Sequence, residues 1–315
     1  MLLIEPTTQG LWCAAGGFYI DPAEPVTRAV LTHAHSDHAR PGCASYLTAE
    51  AGLGLLRERL GPDAAIETIA YGRKVRLGDV DVSLHPAGHI LGSAQVRLEH
   101  RGEVWVVSGD YKRDPDPTCA PFEPLRCHVF VSESTYGLPV YRWQPQEEVL
   151  GEIHAWWRAN QQTGRTSILF AHALGKAQRI LAALDPGVGP IAVHGAVARY
   201  LPAYTAAGVK LPPLADQVRG EGLVIAPPSA RGSPWLRRFG PSSTATASGW
   251  MQVRGMRRRE GVDRGFVLSD HADWEPLLAT IRDTQAERVL LMHGYAAAVA
   301  RWLKEQGWSA SPVST

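Results

Sequence analysis

The chain has 315 residues, of which 45% are hydrophobic and 20% are charged, and its formal net charge is +1. These values exclude a disordered or fibrous protein and allow one large domain or two ordinary ones. The four cysteines form no C-x-x-C pair, so we expect reduced thiols. Neither a signal-peptide pattern nor ~20 successive apolar residues are found. We therefore expect a cytoplasmic protein without a membrane anchor.

Short strands dominate the first part of the chain, up to about residue 142. Val80, Val82 and Leu84 alternate with polar residues, which indicates half-buried antiparallel strands. A helix is predicted after Thr48, which is placed to cap its start, and Gly61 is placed to end it. Strands are predicted at 11–14, 18–20, 29–31, 80–85, 94–99, 103–108 and 129–132.

Helices and strands alternate after about residue 143, which is typical of an α/β arrangement. A stretch rich in Pro, Gly and Ser follows at 212–250, with no predicted element. The predicted helices are 145–160, 176–184, 197–206, 274–284 and 296–306, and the predicted strands are 167–170, 191–193, 266–269 and 288–292. The simplest organisation is an α/β insert at 143–261 within a domain made of 1–142 and 262–315.

Charge is distributed unevenly along the chain. Residues 219–264 contain nine Arg and three acidic residues and so carry +6, which leaves −5 for the remainder of a chain whose total is +1. A basic region beside an acidic body suits a polyanionic ligand better than a neutral one. A basic surface that is only solvated and binds nothing would have the same excess of arginines.

The segment LTHAHSDHA at 31–39 places four potential metal ligands within six residues. His33 and His35 project to one side of an extended chain, and Asp37 and His38 follow on the turn. Imidazole and carboxylate together suit zinc, with manganese or iron as alternatives. One loop cannot complete two metal sites, so further donors are expected at other strand ends, each beside a glycine: His89, Asp110 and His293.

This H-x-H-x-D-H pattern with later His, Asp and His resembles the metallo-β-lactamase superfamily. The resemblance implies an α/β fold, an αββα sandwich, with two divalent metal ions at one edge, zinc first and manganese as the alternative. It implies one metal on His33, His35 and His89, a second on Asp37, His38 and His293, and Asp110 bridging them. Asp21 in FYIDP matches the family's early Asp, which braces the metal loop without ligating.

ESTYG at 133–137 and LSDHADW at 268–274 resemble two motifs of the β-CASP nucleases, in which an α/β domain is inserted into the metallo-β-lactamase fold. The resemblance implies that Glu133 orients His271 and that His271 protonates the leaving oxygen, beside the metal-bound carboxylates Asp37 and Asp110. A carboxylate-backed His is a suitable proton source near neutral pH. Read separately, Glu133 fits a strand-end ion pair and His271 a polar residue at a helix start.

The same resemblance extends to the insert. ATASGWM at 245–251 resembles the β-CASP loop in which backbone amides and hydroxyls meet a phosphate, here Ser248 and Gly249. HALGKAQRI at 172–180 resembles the start of an early helix of the insert, which would direct Lys176 to the substrate. Nearby arginines would hold backbone phosphates without reading bases: Arg231, Arg237, Arg238, Arg254, Arg257, Arg258 and Arg259.

Residues 108–127 and 133–143 resemble the bacterial DNA ligase-associated exonucleases. The resemblance implies an exonuclease acting on DNA in repair, with a DNA ligase among its partners. His293 favours an alternative, because a His in the last β-CASP motif tends to accompany RNA substrates. A small-molecule thioesterase or lactonase is a further alternative, which the insert and the basic stretch disfavour. A non-catalytic binding module is disfavoured because all seven ligand positions are filled.

Overall fold

The computed structural model describes residues 2–313. The chain folds into two compact units, of which unit 1 runs to Pro139 and resumes at His271, and unit 2 is Val140–Asp270. The segment 143–261 predicted as an insert lies inside unit 2. Between residues 2 and 313, none of the helices combines the length and hydropathy of a membrane-crossing segment.

The elements are numbered along the chain. The strands are β1 (Glu5–Thr7), β2 (Gly10–Cys13), β3 (Phe18–Ile20), β4 (Arg28–Val30), β5 (Ser45–Ala49), β6 (Ile66–Ile69), β7 (Lys74–Leu77), β8 (Val80–Pro86), β9 (Ala94–His100), β10 (Glu103–Val107), β11 (Val129–Glu133), β12 (Thr166–Phe170), β13 (Ile191–Val193), β14 (Leu223–Ala226), β15 (Ser242–Ala247), β16 (Arg264–Phe266), β17 (Arg288–Met292) and β18 (Ala310–Pro312). The helices are α1 (Leu53–Leu60), α2 (Gln146–Gln162), α3 (Lys176–Ala183), α4 (Gly195–Ala198), α5 (Leu201–Ala206), α6 (Met256–Glu260), α7 (Trp274–Thr284) and α8 (Ala296–Glu305). Short 3-10 turns lie at Glu50–Gly52, Pro228–Ala230, Pro234–Phe239 and Gly249–Gln252.

Unit 1 contains two sheets that share one apolar core. The first has the order β1-β2-β3-β4-β5-β6, and the second has the order β18-β17-β11-β10-β9-β8-β7. Val30 and Leu47 of the first sheet lie in the same buried cluster as Val82 and Val96 of the second. Helices α7 and α8 form another core with the second sheet, in which Phe130 is fully buried. The unit is therefore layered sheet on sheet, with helices packed on the second sheet.

Unit 2 is built on a parallel sheet with the order β13-β14-β12-β15-β16. Helices α2 and α3 contribute Ile153, Trp157 and Ile180 to a core with the sheet. A second core contains Ile168 and Phe239. Because parallel strands need crossover connections, alternating helices and strands lead directly to this architecture.

Several elements differ from their prediction. Thr48 does not cap a helix. It lies inside β5, where it pairs with Thr68 of β6, and α1 starts only at Leu53. The stretch 212–250 is not without structure, because it contains β14 and β15. The strand predicted at 266–269 is instead Arg264–Phe266, and it pairs with β15 in the sheet of unit 2. The unit therefore continues past residue 261.

Candidate metal centre and general-acid pair

The candidate ligands follow strands that end at one edge of unit 1. Strands β10, β11 and β17 run parallel in the second sheet, so Asp110, Glu133 and His293 emerge from it on the same side. His89 follows β8 of that sheet, and the loop carrying the H-x-H-x-D-H motif follows β4 of the first sheet. Short loops on a rigid double sheet thus place distant parts of the chain together.

The first group of donors consists of His33, His35, His89 and Asp110, all buried, with one ligand atom from each within 4.8 Å of the others. His35 Nδ1 lies 3.0 Å from His33 Nε2 and 3.1 Å from His89 Nε2. Asp110 Oδ2 lies 3.5 Å from His33 Nε2 and 3.7 Å from His89 Nε2. Three imidazoles and a carboxylate therefore converge on one point.

The second group consists of His38, Asp110 and His293, and it shares Asp110 with the first. His38 Nε2 lies 3.5 Å from Asp110 Oδ2 and 3.7 Å from Asp37 Oδ2. The side chain of Asp37 is 70% exposed, whereas that of His38 is 5% exposed. One carboxylate is thus placed to serve both groups, and Asp37 approaches the second group at its open side.

The donor set fits a pair of divalent cations. A tetrahedral ion ~2.0–2.1 Å from nitrogen ligands would hold those ligands about 3.3 Å apart, and the distances between donor atoms of the first group, 3.0–3.7 Å, bracket that value. Nitrogen ligands must be neutral to bind a metal, and burial lowers the pKa of His33 well below its usual range. The buried His/Asp cluster is therefore compatible with metal binding.

Asp21 holds His38 from behind. Its Oδ2 lies 2.7 Å from His38 Nδ1 and also accepts from Thr32 Oγ1 at 2.5 Å, while its Oδ1 accepts from the Thr32 amide at 2.8 Å. When Nδ1–H of a neutral His donates to a carboxylate, the lone pair that can bind a metal is on Nε2. In His38 this Nε2 faces Asp110. Asp21 therefore fixes the orientation of His38 without itself joining either donor group.

Charge around His38 is strongly negative. Burial alone would lower the pKa of His38, but the carboxylates of Asp110 and Asp21 outweigh it and raise the pKa to about 10. Burial raises the pKa of Asp110, and His38 opposes that rise. Such a site favours a cation in the second group, because cationic charge there relieves the repulsion between buried carboxylates.

Two residues of the centre have left-handed backbone. Asp21 has φ of 44° and His293 has φ of 60°, and the other non-glycine residues between 2 and 313 with positive φ are Arg101 and Gln285. Non-glycine residues adopt this region at a cost, which persists where surrounding contacts enforce it. The turn at His293 is stabilised by Ser134, whose single hydroxyl hydrogen can be shared between the carbonyls of His293 at 2.7 Å and Met292 at 3.0 Å.

Glu133, which is buried, and His271, which is partly buried, form a pair beside the first group. His271 Nδ1 lies 2.9 Å from Glu133 Oε2, and the Tyr111 amide donates to Glu133 Oε1 at 2.7 Å. Burial alone would raise the pKa of Glu133, but the charge and hydrogen bond of His271 outweigh burial and lower it. The rings of His271 and His89 lie 4.7 Å apart, so the imidazole backed by Glu133 adjoins the metal centre.

Some contributors were not identified from the sequence. Thr32 connects Asp21 to His33, because its hydroxyl also lies 3.0 Å from His33 Nδ1. Gly109 allows the loop of Asp110 to approach Thr32, since a Cβ there would lie 2.7 Å from the Thr32 Cβ. Their position beside the motifs, in LTHAH and SGD, was the only sequence signal.

No protein-family model matches the chain. A protein from Opitutus terrae named "Probable DNA ligase" is 33% identical over 310 residues, covering 96% of this chain and 30% of that protein. "Endoribonuclease YSH1" from Yarrowia lipolytica is 33% identical over 124 residues, covering 38% of this chain and 14% of that one. "Ribonuclease TTHA0252" from Thermus thermophilus is 29% identical over 191 residues, covering 52% and 44%. The chain thus spans less than half the length of each of these relatives.

The chain is related to the β-CASP nucleases of the metallo-β-lactamase superfamily. The predicted fold class, a metallo-β-lactamase fold with an inserted domain, is thereby confirmed. A crystal structure of a protein of unknown function from Enterococcus faecalis matches 91% of this chain and 79% of its own, with a TM-score of 0.59 and 10% identity. That likeness concerns the fold alone.

In the β-CASP-type insert, Lys176 has a partner in its own unit. It is the first residue of α3, it is 7% exposed, and its Nζ lies 3.1 Å from Asp270 Oδ1. A phosphate would therefore have to compete with a buried carboxylate for this ammonium. The contact between Lys176 and substrate phosphate stays a prediction.

The predicted basic residues of this β-CASP-type insert separate into two sets. Arg231 is 2.6 Å from Glu260, and Arg238 packs over Trp235, so these two have structural contacts. Arg238 is nevertheless exposed at the surface of unit 2, as are the others: Arg237, Arg254, Arg257, Arg258 and Arg259. Gly249 is buried. Ser248 Oγ accepts a hydrogen bond from the Trp250 amide at 3.3 Å, so it already has a partner within the same turn.

Proposed function

We propose that this chain is a two-metal nuclease that hydrolyses phosphodiester bonds, acting on DNA as an exonuclease in repair. The observation that carries the proposal is the single carboxylate, Asp110, shared by two groups of histidines, with the Glu133–His271 pair beside them. A shared carboxylate between two nitrogen-rich groups suits a pair of closely spaced cations. The imidazole of His271, which is held by the Glu133 carboxylate, distinguishes this site from one that only binds metal.

Zinc would be held by His33, His35 and His89 in one site and by Asp37, His38 and His293 in the other, with Asp110 shared and manganese as the alternative. Two such cations, when bound, supply Lewis acidity toward a phosphate and toward the attacking water. Asp21 is a positioning residue, because it orients the His38 ring and does not contact the substrate.

His271 supplies the proton that metal ions cannot supply. Cleavage of a phosphodiester leaves an alkoxide oxygen, which departs more readily when it is protonated. With Nδ1 held 2.9 Å from Glu133, the proton on the opposite nitrogen of the imidazolium is available for transfer. The Glu133 carboxylate stabilises the positive charge of the ring before transfer, and the Tyr111 amide keeps that carboxylate in place.

The names of the relatives support both DNA and RNA as substrates. The relative that aligns with 96% of this chain is named a probable DNA ligase, and we therefore favour DNA and a repair setting with a DNA ligase as partner. The relatives named endoribonucleases and ribonuclease favour RNA processing as the second candidate, as does His293. The cytoplasmic location expected from the sequence belongs to the same proposal.

The decisive experiment incubates purified protein with DNA and RNA strands of matched sequence, labelled at either end, in zinc or manganese. We expect a ladder of products from the DNA strand and none from Asp110→Asn, because that change removes a charge shared by both donor groups. Asp81→Asn is the matched control, since Asp81 forms a surface ion pair with Arg76 in unit 1. Full activity in Asp110→Asn would refute the proposed metal centre.

The same assay, run also with a thioester and a lactone as substrates, separates the alternatives. Cleavage of RNA alone would replace the DNA proposal by the RNA-processing one. Hydrolysis of a thioester or lactone without cleavage of either strand would show a small-molecule hydrolase instead.

A further inference from the structure

Trp250 is an exposed aromatic side chain next to the basic part of unit 2. It lies in the 3-10 turn Gly249–Gln252 that follows β15, and it is 37% exposed. Among residues 2–313, it is the one aromatic residue in the set of exposed large hydrophobic side chains, whose others are Leu and Val. Tryptophan is usually well buried, so its placement at the surface calls for an explanation.

The Trp250 ring is held in place by its surroundings in unit 2. Tyr141, which is 1% exposed, meets the indole edge-on, with ring centroids 5.7 Å apart and an interplanar angle of 89°. The Trp250 amide donates to Ser248 Oγ at 3.3 Å, and its carbonyl accepts from the Val253 amide at 3.1 Å. A buried ring therefore supports a partly exposed one whose backbone is fixed on both sides.

Four exposed arginines lie within the nine residues that follow Trp250. They are Arg254, Arg257, Arg258 and Arg259, and none of them forms an ion pair with another described residue. Glu260, the one acidic residue of α6, is held by Arg231 at 2.6 Å. The positive charge of this surface is thus left uncompensated by side chains of the described chain, as a surface that binds a polyanion requires.

We infer that Trp250 stacks against one base of a single nucleic-acid strand while Arg254, Arg257 and Arg258 hold phosphates next to that base. We call these four residues the Trp–Arg strip. An aromatic face beside positive charge is the arrangement by which proteins bind unpaired strands without reading sequence. The inference rests on the proposed nuclease function and adds the form of its substrate.

Stacking on Trp250 selects for an unpaired strand. Inside a duplex each base is stacked on its neighbours and paired with its partner, so apart from the two end faces no base face is available to an indole without unstacking. The arginines have no such restriction, because phosphates are exposed in single strands and duplexes alike. Trp250 should therefore contribute to binding of single strands alone, and the arginines to binding of both forms.

The test measures binding of the full-length, metal-loaded protein to fluorescent phosphorothioate strands, which resist cleavage, by fluorescence anisotropy. The probes are a single DNA strand, the RNA strand of the same sequence and a blunt DNA duplex. Trp250→Leu should weaken binding to the single strand by about 5- to 150-fold and leave duplex binding within about twofold. Trp250→Phe should restore most of the loss, because it keeps an aromatic face.

A matched control is Trp12→Leu, since Trp12 is a half-buried ring of unit 1 that packs against Tyr19 at 4.6 Å. That variant should bind all three probes as the wild type does. Arg257→Ala should weaken binding to the single strand and the duplex alike and should reduce the salt dependence of both.

Single abasic nucleotides placed along the strand provide an independent readout. At one position the abasic substitution should remove the difference between wild type and Trp250→Leu, because the base that stacks is then missing. Equal binding of single strands by wild type and Trp250→Leu would overturn the inference, as would an equal loss on strand and duplex. Failure of the wild type to bind any probe would overturn the proposed function itself and with it this inference.

Discussion

Replacing Asp21 by Asn tests how the chain prepares the second of its two proposed metal sites. Asp21 has φ of 44°, a conformation that Asn tolerates as well as Asp does, so the backbone of the loop should be retained. The amide keeps one oxygen for the Thr32 amide, 2.8 Å away. The substitution replaces Oδ2 of the carboxylate by an NH₂ group. Oδ2 accepts from the Thr32 hydroxyl and lies 2.7 Å from His38 Nδ1, so both contacts to a charged oxygen are lost.

The expected magnitude follows from these contacts. A hydrogen bond to a charged group contributes about 1.5–3 kcal/mol, and loss of a carboxylate behind a metal-binding His costs about 10- to 100-fold in metal affinity. Those two figures agree, because 10- to 100-fold corresponds to about 1.4–2.7 kcal/mol. The loss should fall mainly on the site containing His38, whose ring Asp21 contacts directly. The site containing His35 and His89 should lose much less, because Asp21 reaches its ligand His33 only through the Thr32 hydroxyl.

The assay is competition for zinc between the protein and a coloured chelator, which reports two binding affinities per chain. We expect Asp21→Asn to weaken one affinity by about 10- to 100-fold and to leave the other within about twofold. Asp81→Asn, at an exposed ion pair with Arg76, should change neither. Unchanged affinities in Asp21→Asn, or equal losses at both sites, would refute the assigned role of Asp21.

Three further predictions concern His271, Lys176 and His38. His271→Ala should lower kcat by about 10²- to 10⁴-fold with unchanged zinc content by elemental analysis, and an unchanged kcat would remove the general acid. Lys176→Met should destabilise the protein by more than about 1 kcal/mol in denaturant unfolding, because it removes one buried partner of Asp270. Lys74→Met, at an exposed pair, should cost less than about 1 kcal/mol, and equal costs would contradict this account. Near pH 8, which is below the His38 pKa of about 10, zinc binding should release at least one proton, because His38 must become neutral to bind the metal. Calorimetry would show this release as a binding heat that depends on the ionisation enthalpy of the buffer, and heat independent of the buffer would contradict it.

The fold of unit 1 could be predicted from the sequence where strands show alternation. Val80, Val82 and Leu84 point into one core, as the alternation predicts. Strand β5 has no such pattern: four of its five residues are buried, so the side chains of SYLTA do not alternate. Its last residues together with α1 therefore resemble one continuous helix.

Strands β14 and β15 were missed for related reasons. The segment Leu223–Ala226 is buried throughout, and a short uninterrupted apolar segment has no periodicity that distinguishes strand from helix. Strand Ser242–Ala247 is made of Ser, Thr and Ala, so its composition resembles that of a loop although most of it is buried. Helix α7, in contrast, has the predicted bounds, because its apolar periodicity is clear.

The candidate site was visible in the sequence to the extent that its motifs are local. His33, His35 and His38 are close in sequence, and the structure brings Asp110 and His293 to them. Contacts between distant residues were not visible, such as Lys176 with Asp270, because nothing in either segment indicates the other. The roles assigned to these residues remain predictions that the experiments above test.

Anomalous diffraction at the zinc absorption edge, from crystals of zinc-loaded protein, tests the central claim most directly. We expect two peaks about 3.5–4 Å apart on either side of the Asp110 carboxylate, one beside His35 and the other beside His38. A single peak, or peaks remote from Asp110, would contradict a two-metal centre.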